Sequence, residues 1–503
     1  MGAVTLPFRS RDVSHLDRSV MSVPATAPAA PSTASAPAPA PARKPVEPIS
    51  FANEPKSNAH RSVLTHKEPV AQRTLTPSQL VIARSAGTFH WTPEGRRLYD
   101  FTSGVLVSNL GHNPRRWMQR FAAYMGWKPE HISGPTAAEG EYFSAVPLTA
   151  YNAMTEVESQ SVERLIRNMQ GEKGGKRMET VLWAASGSEA VQKALWACLH
   201  RDKSRDLIVA TRYGFHGKKG LAGAVTGSES DTDRDPRVKF VGFPREEIDD
   251  VSRYGQPVDL APYRRELDAL WKEFGNRLNV LITEPYLGGG GSFHPPKEYH
   301  LMLQEWCRQH DIILIFDEIQ ANFGRTGEVY AYTKYGIEPD IVCLGKGLGN
   351  GMPVAAAVGR ADIMASLTYG EGSDTWSCNP VACAAVLATL DEFESTDVMA
   401  HSRKLSKLIQ DALVGLKKTG VVAKVRGEGM VFGIECAAHK GMTPHQTAME
   451  VVRRCYLGEP GGDGIHLLGP LSQKVLRVSP PMTMTVEEAQ ASLALLTRIV
   501  GSM

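Results

Sequence analysis

From about residue 157 onward, apolar positions recur first at helical spacing and then in short unbroken runs, and the two patterns go on alternating. The spacing predicts a helix over 157–169, a strand over 180–184, a helix from 189 and a strand over 206–210. The same rhythm predicts a strand over 278–284, a helix over 297–310 and strands over 312–316 and 341–344. Strands separated by helices pair in parallel beneath covering helices, so a mostly parallel sheet in an α/β fold is expected.

Both ends of the chain leave that rhythm. Ala and Pro recur between Pro24 and Pro48 without an aromatic residue, and such a tract cannot bury enough surface to offset its ordering entropy. Residues 1–75 are therefore expected to be a disordered tail. Thr76-Pro-Ser-Gln-Leu80 reads as a helix start, a hairpin is expected around Gly95, and 76–115 is assigned to an N-terminal segment that contributes to a small domain. Residues 116–389 are assigned to a large domain. Past Leu390, helical patterns over 402–418 and 486–499 flank short strands near Val431 and Val475, which predicts a smaller α/β domain over 390–503.

Composition narrows the function classes. A formal net charge of +2 on 503 residues gives no electrostatic reason to expect nucleic acid or a membrane surface, and no apolar run approaches the length of a span. Seven scattered cysteines without a CxxC pair point to a reducing compartment, and the first twenty residues lack the apolar core of a secretory signal, so the cytoplasm is expected. Cys307-x-x-His310 and the pair His294 and His300 come nearest to metal-ligand spacing. Neither has a second pair, so no metal is expected.

The chemistry centres on Asp340-Ile-Val-Cys-Leu-Gly-Lys-Gly347, where an apolar strand ends in glycines around a single lysine, Lys346. A lysine desolvated there keeps a neutral amine able to condense with an aldehyde; otherwise it is a solvated loop residue. Ser186-Gly-Ser-Glu-Ala190 feeds a helix whose N-terminal N–H groups suit a phosphate, although Ser188 serves equally as a cap. Phe215 and His216 sit in a glycine-bracketed loop, where Phe215 either stacks on a flat ring or joins the core. Asp317-Glu-Ile-Gln320 follows a buried strand, and a carboxylate in that position needs a cation, either a protonated pyridine nitrogen or an ion-pair partner within the fold. Lysine, carboxylate, phosphate turn and stacking aromatic together meet the needs of pyridoxal 5'-phosphate.

These motifs, with Gly111-His-Asn-Pro114, Gly324-Arg-Thr-Gly327 and Thr375 through Asn379-Pro380, resemble the class III (ω-amino acid type) aminotransferases among the fold type I pyridoxal-phosphate enzymes. The resemblance runs from about Thr76 to the C-terminus. It implies that Lys346 carries the cofactor and moves the proton, while Asp317 holds the pyridine nitrogen and Gln320 the phenolic oxygen. It places Ile319 and Phe215 on the two ring faces, with His216 beside them, and Gly187 and Ser188 on the phosphate. Thr375 would reach the phosphate of a neighbouring subunit, which implies a homodimer, and Arg426 would grip the substrate carboxylate. The implied reaction moves an amino group from an ω-amino acid, diamine or amino acid donor to an oxo acid. A dialkylglycine-type decarboxylating transaminase, an amino acid racemase and a non-catalytic binding protein on the same fold are the alternatives.

Two positions depart from the family pattern. Where many members carry a glutamate after Glu-Pro, this chain reads Gly288-Gly-Gly-Gly291, which leaves Arg426 less easily masked. Cys378 replaces a common glycine before Asn379-Pro380.

Overall fold

Fifteen short strands divide among three sheets in the computed structural model, which describes residues 47–503 apart from 73, 75, 134–141 and 232–233. The first strands are β1 (Arg84–Ala86), β2 (Phe89–Trp91) and β3 (Arg97–Asp100). The central seven are β4 (Thr180–Ala184), β5 (Leu207–Thr211), β6 (Val238–Val241), β7 (Leu278–Thr283), β8 (Ile313–Asp317), β9 (Ile341–Leu344) and β10 (Ala355–Gly359). The last are β11 (Val422–Glu428), β12 (Val431–Cys436), β13 (Gly464–His466), β14 (Leu468–Leu471) and β15 (Val475–Val478).

The central sheet runs β4-β10-β9-β8-β7-β5-β6. Its neighbours pair in parallel from β9 to β6, whereas β10 lies antiparallel to both β9 and β4. β4 therefore points the same way as β9, and six strands deliver their carboxyl ends to one side. Every residue of β5, β7, β8, β9 and β10 is buried. That burial on both faces is why these strands read as unbroken apolar runs rather than as alternation. The expected elements fall within a few residues of the observed ones: helices Glu156–Gly171, Gly187–Arg201 and Lys297–Gln309 cover the sheet, and β4 and β9 have the expected limits.

The C-terminal sheet runs β11-β12-β15-β14, with helices Val398–Gly415, Pro444–Leu457 and Val486–Gly501 beside it. The third sheet joins distant parts of the chain, because β13 adds in parallel to the β1-β2-β3 hairpins. The turn at Gly95 connects β2 and β3 as expected, its φ of +87° being one that glycine adopts without cost.

Two expectations at the N-terminus are corrected. The Thr76-Pro77 stretch is not helical; the described residues there form a turn and then extended chain leading into β1. The tail reading fails for its last third, since Pro55–Lys67 is a helix and residues 48–503 form one unit. Buried Arg61 donates to Glu54 at 2.7 Å and to the Tyr456 hydroxyl at 2.8 Å, and Arg96 pairs with the same glutamate. Pro at the first helical turn and an ion pair supplied by remote sequence outweigh a composition that, in isolation, favours disorder. Residues 1–46, with most of the Ala/Pro tract, lie outside the described residues.

Candidate active site

The carboxyl ends of the codirectional strands bring the sequence motifs together. Asp317 ends β8 and pairs in register with Cys343 of β9, so Lys346 lies just beyond it on the adjacent strand. Lys346 begins a short 3-10 turn with φ of +49°, flanked by Gly345 and Gly347, and is partly buried. Burial lowers its pKa to about 8, helped by the positive charge of Arg477 and opposed by Asp317 and Glu284. About a tenth of the lysine is therefore neutral at pH 7.

Asp317 is buried and is oriented from two sides. His216 Nδ1 bonds its Oδ2 at 2.7 Å and the Ile319 N–H donates to Oδ1 at 3.1 Å. Among the described residues no lysine or arginine pairs with this carboxylate, whose side-chain partner is His216. Phe215 is 38% exposed, which excludes the core reading for it, and its N–H donates to Glu284 Oε2 at 2.9 Å. Glu284, at the end of β7, is buried, and desolvation pushes its pKa up to about 7. Glu318 turns the other way and accepts the Ala331 and Tyr332 N–H groups at 2.7 Å each, a structural cap on the following helix.

Tight glycine contacts tie these loops to one another. A Cβ at Gly187 would lie 2.8 Å from Ile319 Cδ1, one at Gly217 would lie 2.5 Å from Ser188 Oγ, and one at Gly288 would lie 2.2 Å from Gln320 Oε1. Gly187 and Ser188 open the helix Gly187–Arg201, which Ser186 and Glu189 cap reciprocally, so Ser186 rather than Ser188 is the cap. The Gly187 and Ser188 N–H groups and the Ser188 hydroxyl take no part in the cap and suit a phosphate. Gln320 Oε1 and His216 Nε2 are buried without partners. A buried carboxylate without a lysine or arginine partner among the described residues, a phosphate turn, unsatisfied polar atoms beside it and a lysine with a depressed pKa fit pyridoxal phosphate. Thr375 is exposed and makes none of these contacts; its turn is held by Asp374, which pairs with Lys193 at 2.7 Å. Cys378 has φ of +53°, the left-handed conformation in which glycine is free of strain.

The glycine run acquires a structural reason. Arg426 of β11 and Arg477 of β15 both stand opposite Gly433 of β12 and therefore point to the same face. Gly288-Gly-Gly-Gly291 crosses that gap: Arg426 Nε donates to Gly291 O at 3.0 Å, and Arg477 donates to Gly288 O. A side chain at Gly433 would meet Gly291 O at 2.5 Å. The expectation that Arg426 is poorly masked is corrected, since Glu435 of β12 pairs with it at 2.9 Å and the Asp249 carbonyl accepts from it at 3.1 Å. Its Nη2 remains buried without a partner, beside a cleft of about 380 Å³ lined by Tyr213, Arg245, Phe293, Glu435 and Lys474. Gly433→Ala is expected to lower the thermal midpoint, since overpacking against backbone costs about 1–3 kcal/mol, and, by displacing Arg426 beside the cleft, to raise KM for a carboxylate substrate. Thermal unfolding and steady-state kinetics check this; an unchanged midpoint and KM would show that the glycine loop is free to move.

Arg477 and Glu284 were missed in the sequence. Both carried the signal used for Lys346 and Asp317, a single charge within or just past an apolar strand.

The chain matches the Aminotransferase class-III family over residues 70–500 and belongs to it. It is a pyridoxal 5'-phosphate-dependent aminotransferase with a fold type I architecture. An acetylornithine aminotransferase from Clostridium acetobutylicum is 29% identical over 82% of this chain and 94% of its own length. A 4-aminobutyrate aminotransferase from Mycobacterium leprae is 28% identical over 84% and 90%. Among solved structures, an amine transaminase from an uncultivated Pseudomonas species is 25% identical with a TM-score of 0.70 over 86% of this chain and 96% of its own. The ornithine aminotransferase from Toxoplasma gondii shares the fold at 21% identity, with a TM-score of 0.71 over 88% and 95%.

Proposed function

We propose that this enzyme moves an amino group from an ω-amino acid, diamine or amino acid of the 4-aminobutyrate, acetylornithine or ornithine type to an oxo acid such as 2-oxoglutarate or pyruvate. The observation that carries the reading is Lys346, desolvated to a pKa of about 8 one strand away from buried Asp317. Relatives named for acetylornithine and 4-aminobutyrate support the donor class.

Bound pyridoxal phosphate supplies the electron sink that stabilises a carbanion. The chain's residues do the rest. Lys346 Nζ would hold the cofactor through its aldehyde carbon and would carry the proton between the donor carbon and the cofactor's C4′. Asp317, fixed by His216, keeps the pyridine nitrogen protonated, and Gln320 meets the phenolic oxygen. Ile319 and Phe215 hold the ring between them. Gly187 and Ser188 bind the phosphate, with Thr375 of a neighbouring subunit completing the cradle in a homodimer. Arg426 binds the substrate carboxylate once it exchanges Glu435 for it. Seven free cysteines, most of them buried, support residence in the cytoplasm.

A panel of donors and acceptors scored for amine transfer tests the assignment. Carbon dioxide release or racemised product in place of transfer would favour the decarboxylating or racemase reaction and overturn it. Arg426→Gln is expected to raise KM for the carboxylate substrate about 10- to 100-fold, the worth of a charge-assisted pair, with kcat little changed. An unchanged KM would remove Arg426 from the substrate site.

A further inference from the structure

We propose that His90, Asp100 and His112 bind one divalent transition metal, with Zn²⁺ the cation whose preferences they match. No spacing in the sequence announces this cluster, because its members come from β2, the end of β3 and the Gly111-His-Asn-Pro114 turn. One ligand atom from each lies within 4.8 Å of the others. Asp100 N–H bonds the Thr88 carbonyl at 2.8 Å, so Asp100 and His90, two residues past Thr88, share a face of the hairpin. His112 is drawn onto that face by a reciprocal backbone pair with Gly87, at 2.8 and 2.9 Å.

The two oxygens of Asp100 have separate partners. Oδ1 accepts the Thr102 N–H and hydroxyl at 2.7 Å each and the Ser103 N–H at 3.1 Å. Oδ2 faces only imidazoles, His112 Nε2 at 2.7 Å and His90 Nε2 at 3.4 Å. The 3.4 Å spacing matches the roughly 3.3–3.6 Å between ligand atoms that tetrahedral zinc with bonds of about 2.0–2.2 Å requires, while the His112 contact is a hydrogen bond that opens by about 0.6 Å when a metal replaces its proton. Coordination through Nε2 needs the proton on Nδ1, and Ser85 Oγ lies 2.7 Å from His90 Nδ1 to accept it. A hydrogen-bonded partner on the far nitrogen is the support that metal-bound histidines use.

A further polar atom borders the cluster. His466 of β13 stands opposite Asp100 in the parallel register, its ring 5.8 Å from that of His90, and its Nδ1 is buried without a partner. A water on the fourth position of the metal would give it one. The metal would then clasp the N-terminal hairpin to β13, two parts of the chain separated by the whole of the central sheet. Two imidazoles and one carboxylate suit zinc rather than magnesium or calcium, which take oxygen ligands.

The test uses holoenzyme treated with chelator, freed of unbound cofactor and titrated with Co²⁺ and then Zn²⁺. One Co²⁺ per chain with visible ligand-field absorption is expected, displaced by one Zn²⁺, and Zn²⁺ should raise the thermal midpoint. His90→Gln and His112→Gln should each abolish the absorption and the midpoint shift. Ser85→Ala, which leaves all three ligands in place, should weaken Zn²⁺ affinity about 10- to 100-fold. Wild-type protein that takes up neither metal overturns the proposal, whether or not a variant folds. Uptake that survives in both histidine variants, with far-ultraviolet circular dichroism showing them folded, overturns it as well. The experiment does not depend on transamination, so its failure would leave the cofactor site standing.

Discussion

Lys346→Ala is expected to reduce transamination by about ten-thousand-fold, the upper end of what one general acid–base group supplies, because it removes both the anchor and the proton carrier. Borohydride reduction of wild-type holoenzyme should leave the cofactor mass on the peptide containing Lys346, and the variant should carry none. Cofactor mass on another lysine, or full activity in the variant, would dismantle the mechanism. The pH dependence follows from the same residue. The attacking species is the neutral amine, and the Lys346 pKa has fallen from 10.5 to about 8. The rate at which apoenzyme takes up cofactor should therefore rise with pH and level off above about 8. The linkage has a definite sign: between about 8 and 10.5 the unfolded chain binds more protons at this lysine than the folded one, so its contribution makes apoenzyme more stable as pH rises through that window. Arg477→Met removes a neighbouring positive charge and should move the uptake midpoint upward; a midpoint unchanged or lowered would show that burial alone sets it.

The second large effect belongs to Asp317. Asp317→Asn keeps the shape of the side chain and loses the charge proposed to hold a proton on the pyridine nitrogen, so kcat should fall about 10²- to 10³-fold, as when one preorganised electrostatic partner is removed. Cofactor should still bind through Lys346 and the phosphate turn, which absorbance of the reconstituted variant would show. A variant with normal kcat would mean that the ring nitrogen is not protonated from this side. His216→Phe should lower kcat less, since it removes only the hydrogen bond that orients Asp317.

Much of the sheet and of the proposed cofactor set was legible because its signals are local. An unbroken apolar run marks a strand buried on both faces, and in a parallel sheet the residue after such a run sits where ligands collect. Asp317 and Lys346 could be placed on one side of the molecule from that rule alone. β10 was less legible, because Ala355-Ala-Ala-Val-Gly359 carries little β-propensity and is a strand only through its pairing with β4 and β9. The N-terminal helix was misread for the converse reason, since its stability comes from Glu54, Arg96 and Tyr456 rather than from its own composition.

The sequence by itself determined most of the sheet, its strand ends and a candidate set of cofactor residues, because strand burial and glycine turns are written in neighbouring positions. Only the tertiary structure decided what surrounds them. It set Arg426 and Arg477 on either side of Gly433 with the glycine run laid between, and it gave Arg426 the partner Glu435. It also carried His90, Asp100 and His112 to one face and brought His466 alongside from the far end of the chain. Pairing register between distant strands determines such meetings, and register depends on which faces the whole fold can bury together.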